Sequence, residues 1–296
     1  MKRTAIVLLG LMVAASCLVA QGTPAPAQPA AQQPAAQQPA APKAKTAPQA
    51  KTQDEFKAYQ QVVQTMQGGD LNGAEAATDQ FMTKFPDSEL KPLLYTNLMN
   101  AYQQTNNADK TVEYGRKVLT VDADNPVALV MIATVLAERT RDTDLDKDER
   151  FGEATKDAKR ALEVVDNMAL PANAPPAAVE NAKNTVRSMA YGALGTVAST
   201  QQDFNTAEEN LRKAVEIPGI APDPLTMLRL SVTLDHQKKY AEALQMANKC
   251  VEISQEPIKG LASQERDRLV KLTAAPAPAG STSTTPPAAP KPPQDI

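Results

Sequence analysis

Tryptophan is absent from this 296-residue chain, histidine occurs once and cysteine twice. The one histidine, His236, follows Asp235 and stands beside Lys238 and Lys239. No serine nucleophile or second ligand lies at a usable spacing. A catalytic triad needs three placed groups, and a metal site usually needs three or four ligands. His236 therefore reads as a surface residue. The cysteines are Cys17 and Cys250. They leave no intramolecular disulfide for a mature core and no zinc spacing. Cys250 reads as a small buried hydrophobe. Glycine-rich phosphate loops and nucleophile motifs are also missing.

Positive charge is outnumbered, with 31 Lys and Arg against 34 Asp and Glu. The formal net charge is −3. Setting aside the +2 of Lys2 and Arg3 and the +3 of Lys43, Lys45 and Lys51 leaves a core near −8. Nucleic-acid backbones demand a basic face, so the composition argues against that partner class. Long apolar runs are missing beyond the first twenty residues. Lys2 and Arg3 precede an apolar run from Ala5 to Ala20. The run is short for a membrane span, which needs roughly 20 apolar residues. A basic start, a short apolar centre and a small residue at its end read as a signal peptide over residues 1–20. Two maturation routes remain open. One is cleavage after Ala20. The other is lipidation at Cys17, because Ala14-Ala15-Ser16-Cys17 resembles a bacterial lipobox with Ala14 in place of the usual Leu.

Residues 21–51 are Ala, Pro and Gln with a few Lys, and residues 273–296 are Ala, Pro, Ser and Thr. Neither segment can bury enough apolar surface to offset ordering entropy, so both are expected to be disordered. Prolines favour extended stretches, which makes the first segment a semi-rigid spacer. The ten prolines between these tails fall where helices should start or stop.

Residues 52–272 remain as one helical core. Its clearest stretch is Pro92–Asn125. Tyr95, Leu98, Met99 and Tyr102 form one helical stripe, and Val112, Gly115, Val118 and Leu119 form another. Asn106-Asn107-Ala108-Asp109 between them is a cluster of turn formers. Neither short helix can bury its stripe alone, so the two must pack as an antiparallel hairpin. The pattern returns at Pro126, again around Tyr191, Leu194, Gly195 and Ala198, and again from Pro224. With Pro92 as position 1, Tyr95, Leu98, Tyr102 and Val118 fall at positions 4, 7, 11 and 27. Met99, Thr111 and Ala123 depart from the pattern at 8, 20 and 32. This register resembles the tetratricopeptide repeat, a 34-residue helical hairpin. Phe85-Pro86-Asp87-Ser88 also resembles exported bacterial proteins of that family that work in cell-envelope assembly.

The resemblance implies an all-α, right-handed solenoid of about five hairpins with a capping helix from about Ile258 to Leu272. It also implies a non-enzymatic scaffold without cofactors, whose partner is a protein or peptide of the cell envelope. In the family, positions 2, 5, 9, 12 and 13 of each first helix line a concave groove. That places Thr96, Asn100, Gln103 and Gln104 in the groove from the second hairpin, with Asn97 beside them. Thr134 and Glu138 come from the third, Thr196 and Thr200 from the fourth, and Asp235 from the fifth, with Arg229 nearby. Such hydrogen-bonding groups suit an extended peptide. The carboxylate-gripping subtype is not expected, because Thr96 and Leu225 stand where Lys would be.

A second function class is a calcium-dependent or enzymatic envelope protein. Asp142, Asp144, Asp146 and Glu153 stand at positions 1, 3, 5 and 12 of a calcium-loop spacing. The turn glycine is replaced by Lys147 and the apolar position by Glu149. A flexible acidic insertion without specific calcium affinity is expected. Polar groups converging in one pocket would favour this second class, and groups lining a long face would favour the scaffold.

Overall fold

The structure is a computed structural model that describes residues 48–168 and 173–274. The expected signal peptide, Cys17 and most of both tails lie outside the described residues. Among those described there are eleven α-helices, one short 3-10 turn and no strand. They are α1 (Gln53–Gln67), α2 (Leu71–Lys84), α3 (Lys91–Gln104), α4 (Ala108–Val121), α5 (Pro126–Arg139) and α6 (Lys147–Val164). There follow α7 (Pro176–Thr200), α8 (Phe204–Val215), α9 (Pro224–His236), α10 (Tyr240–Ile253) and α11 (Ile258–Ala274). No helix among the described residues is long and apolar enough to cross a membrane.

The helix starts have identifiable chemical causes. The side chains of Asn107, Asn125, Asp203 and Asp223 accept hydrogen bonds from the N–H groups of Lys110, Ala128, Thr206 and Thr226. Each bond satisfies one of the donors that a helix leaves open at its first turn. Pro126, Pro176 and Pro224 are the first residues of α5, α7 and α9, and Pro92 is the second residue of α3. A proline is tolerated there because its missing N–H has no partner in the helix anyway.

The chain divides into two compact units after Pro222. The first holds four hairpins, α1/α2, α3/α4, α5/α6 and α7/α8. Its apolar interior passes from hairpin to hairpin. Val62, Phe81, Leu90 and Leu94 pack together at the α1 end. Leu98, Met99, Tyr102, Tyr114, Val118 and Met131 follow across α3, α4 and α5. A third cluster links α5, α6 and α7 through residues such as Ile132, Leu136, Phe151 and Val186. Each fully buried side chain of this size contributes about 1.5–3 kcal/mol. The second unit packs α9, α10 and α11 around Leu230, Leu234, Cys250 and Leu269, all fully buried.

Three hairpins close by the same turn. The N–H groups of Asn107, Asp203 and Lys239 donate to the carbonyls of Tyr102, Ala198 and Leu234. The residue before each donor, Asn106, Gln202 or Lys238, takes a left-handed conformation with φ of 59°, 63° and 61°. The third hairpin differs. Residues 140–146 replace the tight turn, and the insertion is braced rather than slack. The Asp144 carboxylate accepts from the Arg141 N–H at 2.8 Å, and Lys147 pairs with Asp142 at 2.6 Å. Arg150 lies 3.8 Å from Asp144 and 3.6 Å from Asp146.

Met99 stands where the repeat register calls for a small residue, and the structure supplies the reason. Met99 is fully buried, and a Cβ on Gly115 would lie 3.4 Å from its sulfur but only 2.8 Å from the Ile132 Cγ1 of α5. The fourth hairpin exchanges the two sizes. Gly195 occupies the Met99 position and Leu211 the Gly115 position, with the Leu211 Cγ 2.6 Å from where a Cβ on Gly195 would sit. Gly195 thus lets the two helices of its own hairpin approach, whereas Gly115 touches Met99 and makes room chiefly for Ile132 of the third hairpin.

Candidate functional site

Asn100 and Thr134 occupy the same register position on α3 and α5, the first helices of successive hairpins. Both side chains are half-buried. The Asn100 Oδ1 and the Thr134 Oγ are shielded from solvent and have no hydrogen-bond partner among the described residues. A shielded polar atom without a partner costs about 1–3 kcal/mol, so each of these two atoms would gain from an added donor. Thr96, Asn97 and Gln103 are half-buried on α3, and Gln104 is exposed at its end. Glu138 is exposed at the end of α5.

Other members of the expected groove set are held inside the fold. The buried Thr196 hydroxyl donates to the Gly192 carbonyl at 2.8 Å, and Thr200 donates to the Thr196 carbonyl at 3.0 Å. Both hydroxyls thereby point back along α7. In the second unit, Arg229 is half-buried on α9, and Asp235 forms an ion pair with Arg268 of α11. His236 is exposed, and Cys250 is fully buried with its thiol donating to the Pro224 carbonyl at 3.2 Å. Burial pushes that thiol's pKa up, so it is a poor nucleophile.

Beside α3 lies a polar network whose link between hairpins no spacing in the sequence announces. Lys110 pairs with Glu75 of α2 at 2.8 Å and with Glu113 at 3.0 Å, and Lys117 pairs with Glu113 at 2.7 Å. Burial alone would raise the Glu75 carboxyl, but the paired Lys110 ammonium, with the nearby Tyr102 and Tyr114 hydroxyls, outweighs it and holds the group below its usual range. Burial, and then the Glu75 carboxylate, push the Tyr102 phenol up to about 12. The network fastens the first hairpin to the second.

The acidic insertion does not gather its carboxylates. Asp142 and Glu153 are each paired with a different cation, Lys147 and Arg116, at 2.6 Å. Among the described residues no group of three or more His, Cys, Asp or Glu side chains could hold a metal. Two open clefts of about 620 Å3 are present. One lies between α1 and α3 over Phe56, Tyr59 and Leu93, and the other runs between α4, α5 and α6 over Val112 and Leu136. The second is rimmed by charged side chains of both signs, among them Arg116, Glu149 and Arg150.

No curated protein sequence matches the chain. Among solved structures, pilF of Pseudomonas aeruginosa is 17% identical, with a TM-score of 0.51 over 74% of this chain and 84% of that one. PilW, described as a widely conserved type IV pilus biogenesis factor, is 18% identical, with a TM-score of 0.47 over 75% and 94%. A thermophilic tetratricopeptide protein of Thermus thermophilus is 14% identical, with a TM-score of 0.45 over 73% and 99%. At these identities the likeness concerns the fold alone. Two family models, each described as tetratricopeptide repeat, match residues 190–219 and 225–256. Those segments fall in the fourth and fifth hairpins, and the chain thus carries tetratricopeptide repeats there, within a fold that is all-helical over the described residues.

Proposed function

We propose that this chain is a non-enzymatic interaction scaffold of the bacterial cell envelope. It binds an extended peptide, or a loop of another protein, along the first helices of its hairpins. Proteins with this repeat bind protein partners in general. The observation that carries the peptide reading is the pair of shielded, partnerless atoms on Asn100 and Thr134. A peptide backbone offers N–H donors at short, regular intervals, and two acceptors on neighbouring helices fit that chemistry. Gln103 and Gln104 add amides farther along α3. The double variant Asn100→Ala with Gln103→Ala is expected to weaken recovery of the native envelope partner at least tenfold, about 1.4 kcal/mol, with far-UV circular dichroism unchanged. Unchanged recovery, together with its abolition by substitutions on the second helices, would remove this face as the binding site.

The envelope setting rests on residues 1–20 as a signal peptide. The mature chain is expected to begin at Gln21 or at a lipidated Cys17. A lipid there would be the chain's attachment to a membrane. Intact-mass analysis of the natively produced protein separates the two forms by the mass of the lipid. A chain that keeps Met1 and Lys2 would reject export by either route.

A further inference from the structure

Leu145 lies in the insertion that replaces the tight turn of the third hairpin, and it is fully exposed, at 107%. Among the described residues the next most exposed large apolar side chain, Leu261, is 51% exposed. A single exposed leucine is ordinary on a protein surface. Two observations set Leu145 apart. The first is that its neighbours are tied down. The Asp144 N–H donates to the Arg141 carbonyl at 3.0 Å, and the Lys147 N–H donates to the Asp144 carbonyl at 3.3 Å. Arg150 pairs with the carboxylates of both Asp144 and Asp146. An ordered loop thus holds the side chain out in solvent, which reduces the entropy lost when it docks. The second is the cleft between α4, α5 and α6. Ala108 at the start of α4, Arg139 at the end of α5 and Asp146 just before α6 all line it. Its mouth therefore lies at the end of the hairpin that carries the insertion, next to Leu145. Val112, Val135 and Leu136 give it apolar walls, and Leu145 of the same chain leaves them uncovered.

We propose that this end of the third hairpin is a two-fold interface between copies of the chain, in which Leu145 of each copy seats in the α4–α5–α6 cleft of the other. Knob and cleft are neighbours, so one two-fold axis between them makes both contacts at once, and the pairing closes on itself. The cleft holds about 620 Å3, within the range of sites that take ligands larger than one leucine side chain. The backbone beside Leu145 can therefore enter with it. The rim charges suit a second copy. A rim of one sign would repel itself across a two-fold axis. Here Arg139 and Arg150 stand among Asp109 and Glu149, and exposed Asp142 and Asp146 flank the knob. Within one chain Arg139 donates to the neutral Asn106 amide oxygen at 2.6 Å rather than to a carboxylate. Across the axis it meets the acids that accompany the incoming Leu145. The interface does not depend on whether the α3 face binds a peptide.

Sedimentation equilibrium of the full chain, at concentrations up to about 0.1 mM, tests this. The natural chain should dimerise within that range. Leu145→Asp should raise the dissociation constant at least about a hundredfold, because the symmetric contact loses the buried leucine twice. Arg139→Glu should raise it about tenfold by setting acid against acid. Both side chains are exposed in the single copy, so both variants should keep the far-UV circular dichroism of the natural chain. A natural chain that stays monomeric at about 0.1 mM would overturn the proposal. So would a dimer whose dissociation constant Leu145→Asp leaves unchanged. If Leu145→Asp fails to fold, Arg139→Glu decides in its place by the same measurement.

Discussion

Replacing Tyr114 by alanine should lower the stability of the first unit by about 3–5 kcal/mol, the range for removing a buried aromatic side chain. Tyr114 is 2% exposed and sits where three hairpins meet. Its ring stacks on Tyr102 at 5.7 Å with 20° between the planes and lies 6.3 Å from Tyr95. The Lys117 ammonium stands 4.2 Å from its centroid. Aromatic pairs of this kind are worth about 0.5–1.5 kcal/mol beyond area burial, and an exposed cation over a ring about 0.5–1 kcal/mol. Tyr114→Phe keeps the ring and its contacts and should lose only about 1 kcal/mol, the worth of one hydrogen bond. Urea unfolding followed by far-UV circular dichroism measures both variants. Equal losses for Ala and Phe would show that the hydroxyl, not the ring, holds this junction.

Gly195→Val should destabilise the fourth hairpin by about 2–3 kcal/mol, the cost of overpacking a filled core. The first added carbon would meet the Leu211 Cγ at 2.6 Å and the Leu211 backbone nitrogen at 3.2 Å. The side chain can turn away, but the backbone cannot. Because the conflict is with one residue, the two positions should couple. Leu211→Ala made together with Gly195→Val should cost at least about 1 kcal/mol less than Leu211→Ala in the natural chain, a coupling ordinary for residues in contact. Gly152 on α6 is the control. It is exposed, and no atom lies within 4 Å of where its Cβ would sit. Gly152→Ala should therefore stabilise by about 0.5–1 kcal/mol through helix propensity alone. Additive behaviour of positions 195 and 211 in urea unfolding would disprove the size-exchange account of this hairpin.

The hairpins were legible because their signals are local. A capping side chain, a proline at the helix start and an apolar stripe all lie close together along the chain. The separation of Met99 from Gly115, on facing helices, already defeats that kind of reading. Met99 looks like a departure from the register until its complement on the other helix is known. The Glu75–Lys110 pair is harder still, because it joins two hairpins and no spacing rule connects them. On the candidate site the register selected Asn100 and Thr134, both of which the fold leaves shielded and without a partner among the described residues. It could not tell that Thr196 and Thr200 turn their hydroxyls onto their own helix, nor that Asp235 is taken by Arg268. Hydroxyl direction and ion-pair choice depend on neighbours, which a one-dimensional pattern does not contain.

The repeated turn at Asn106, Gln202 and Lys238 bears on the order of events in folding. A hairpin closed by so short a connection makes most of its contacts between residues close in sequence. Chains with predominantly short-range contacts reach their native state quickly, because little loop entropy is lost before contacts reward it. The third hairpin is the exception. Its helices are joined by residues 140–146, and its turn must assemble Asp144, Lys147 and Arg150 before it is braced. The second, fourth and fifth hairpins can therefore act as early local nuclei, and the third is placed to join last.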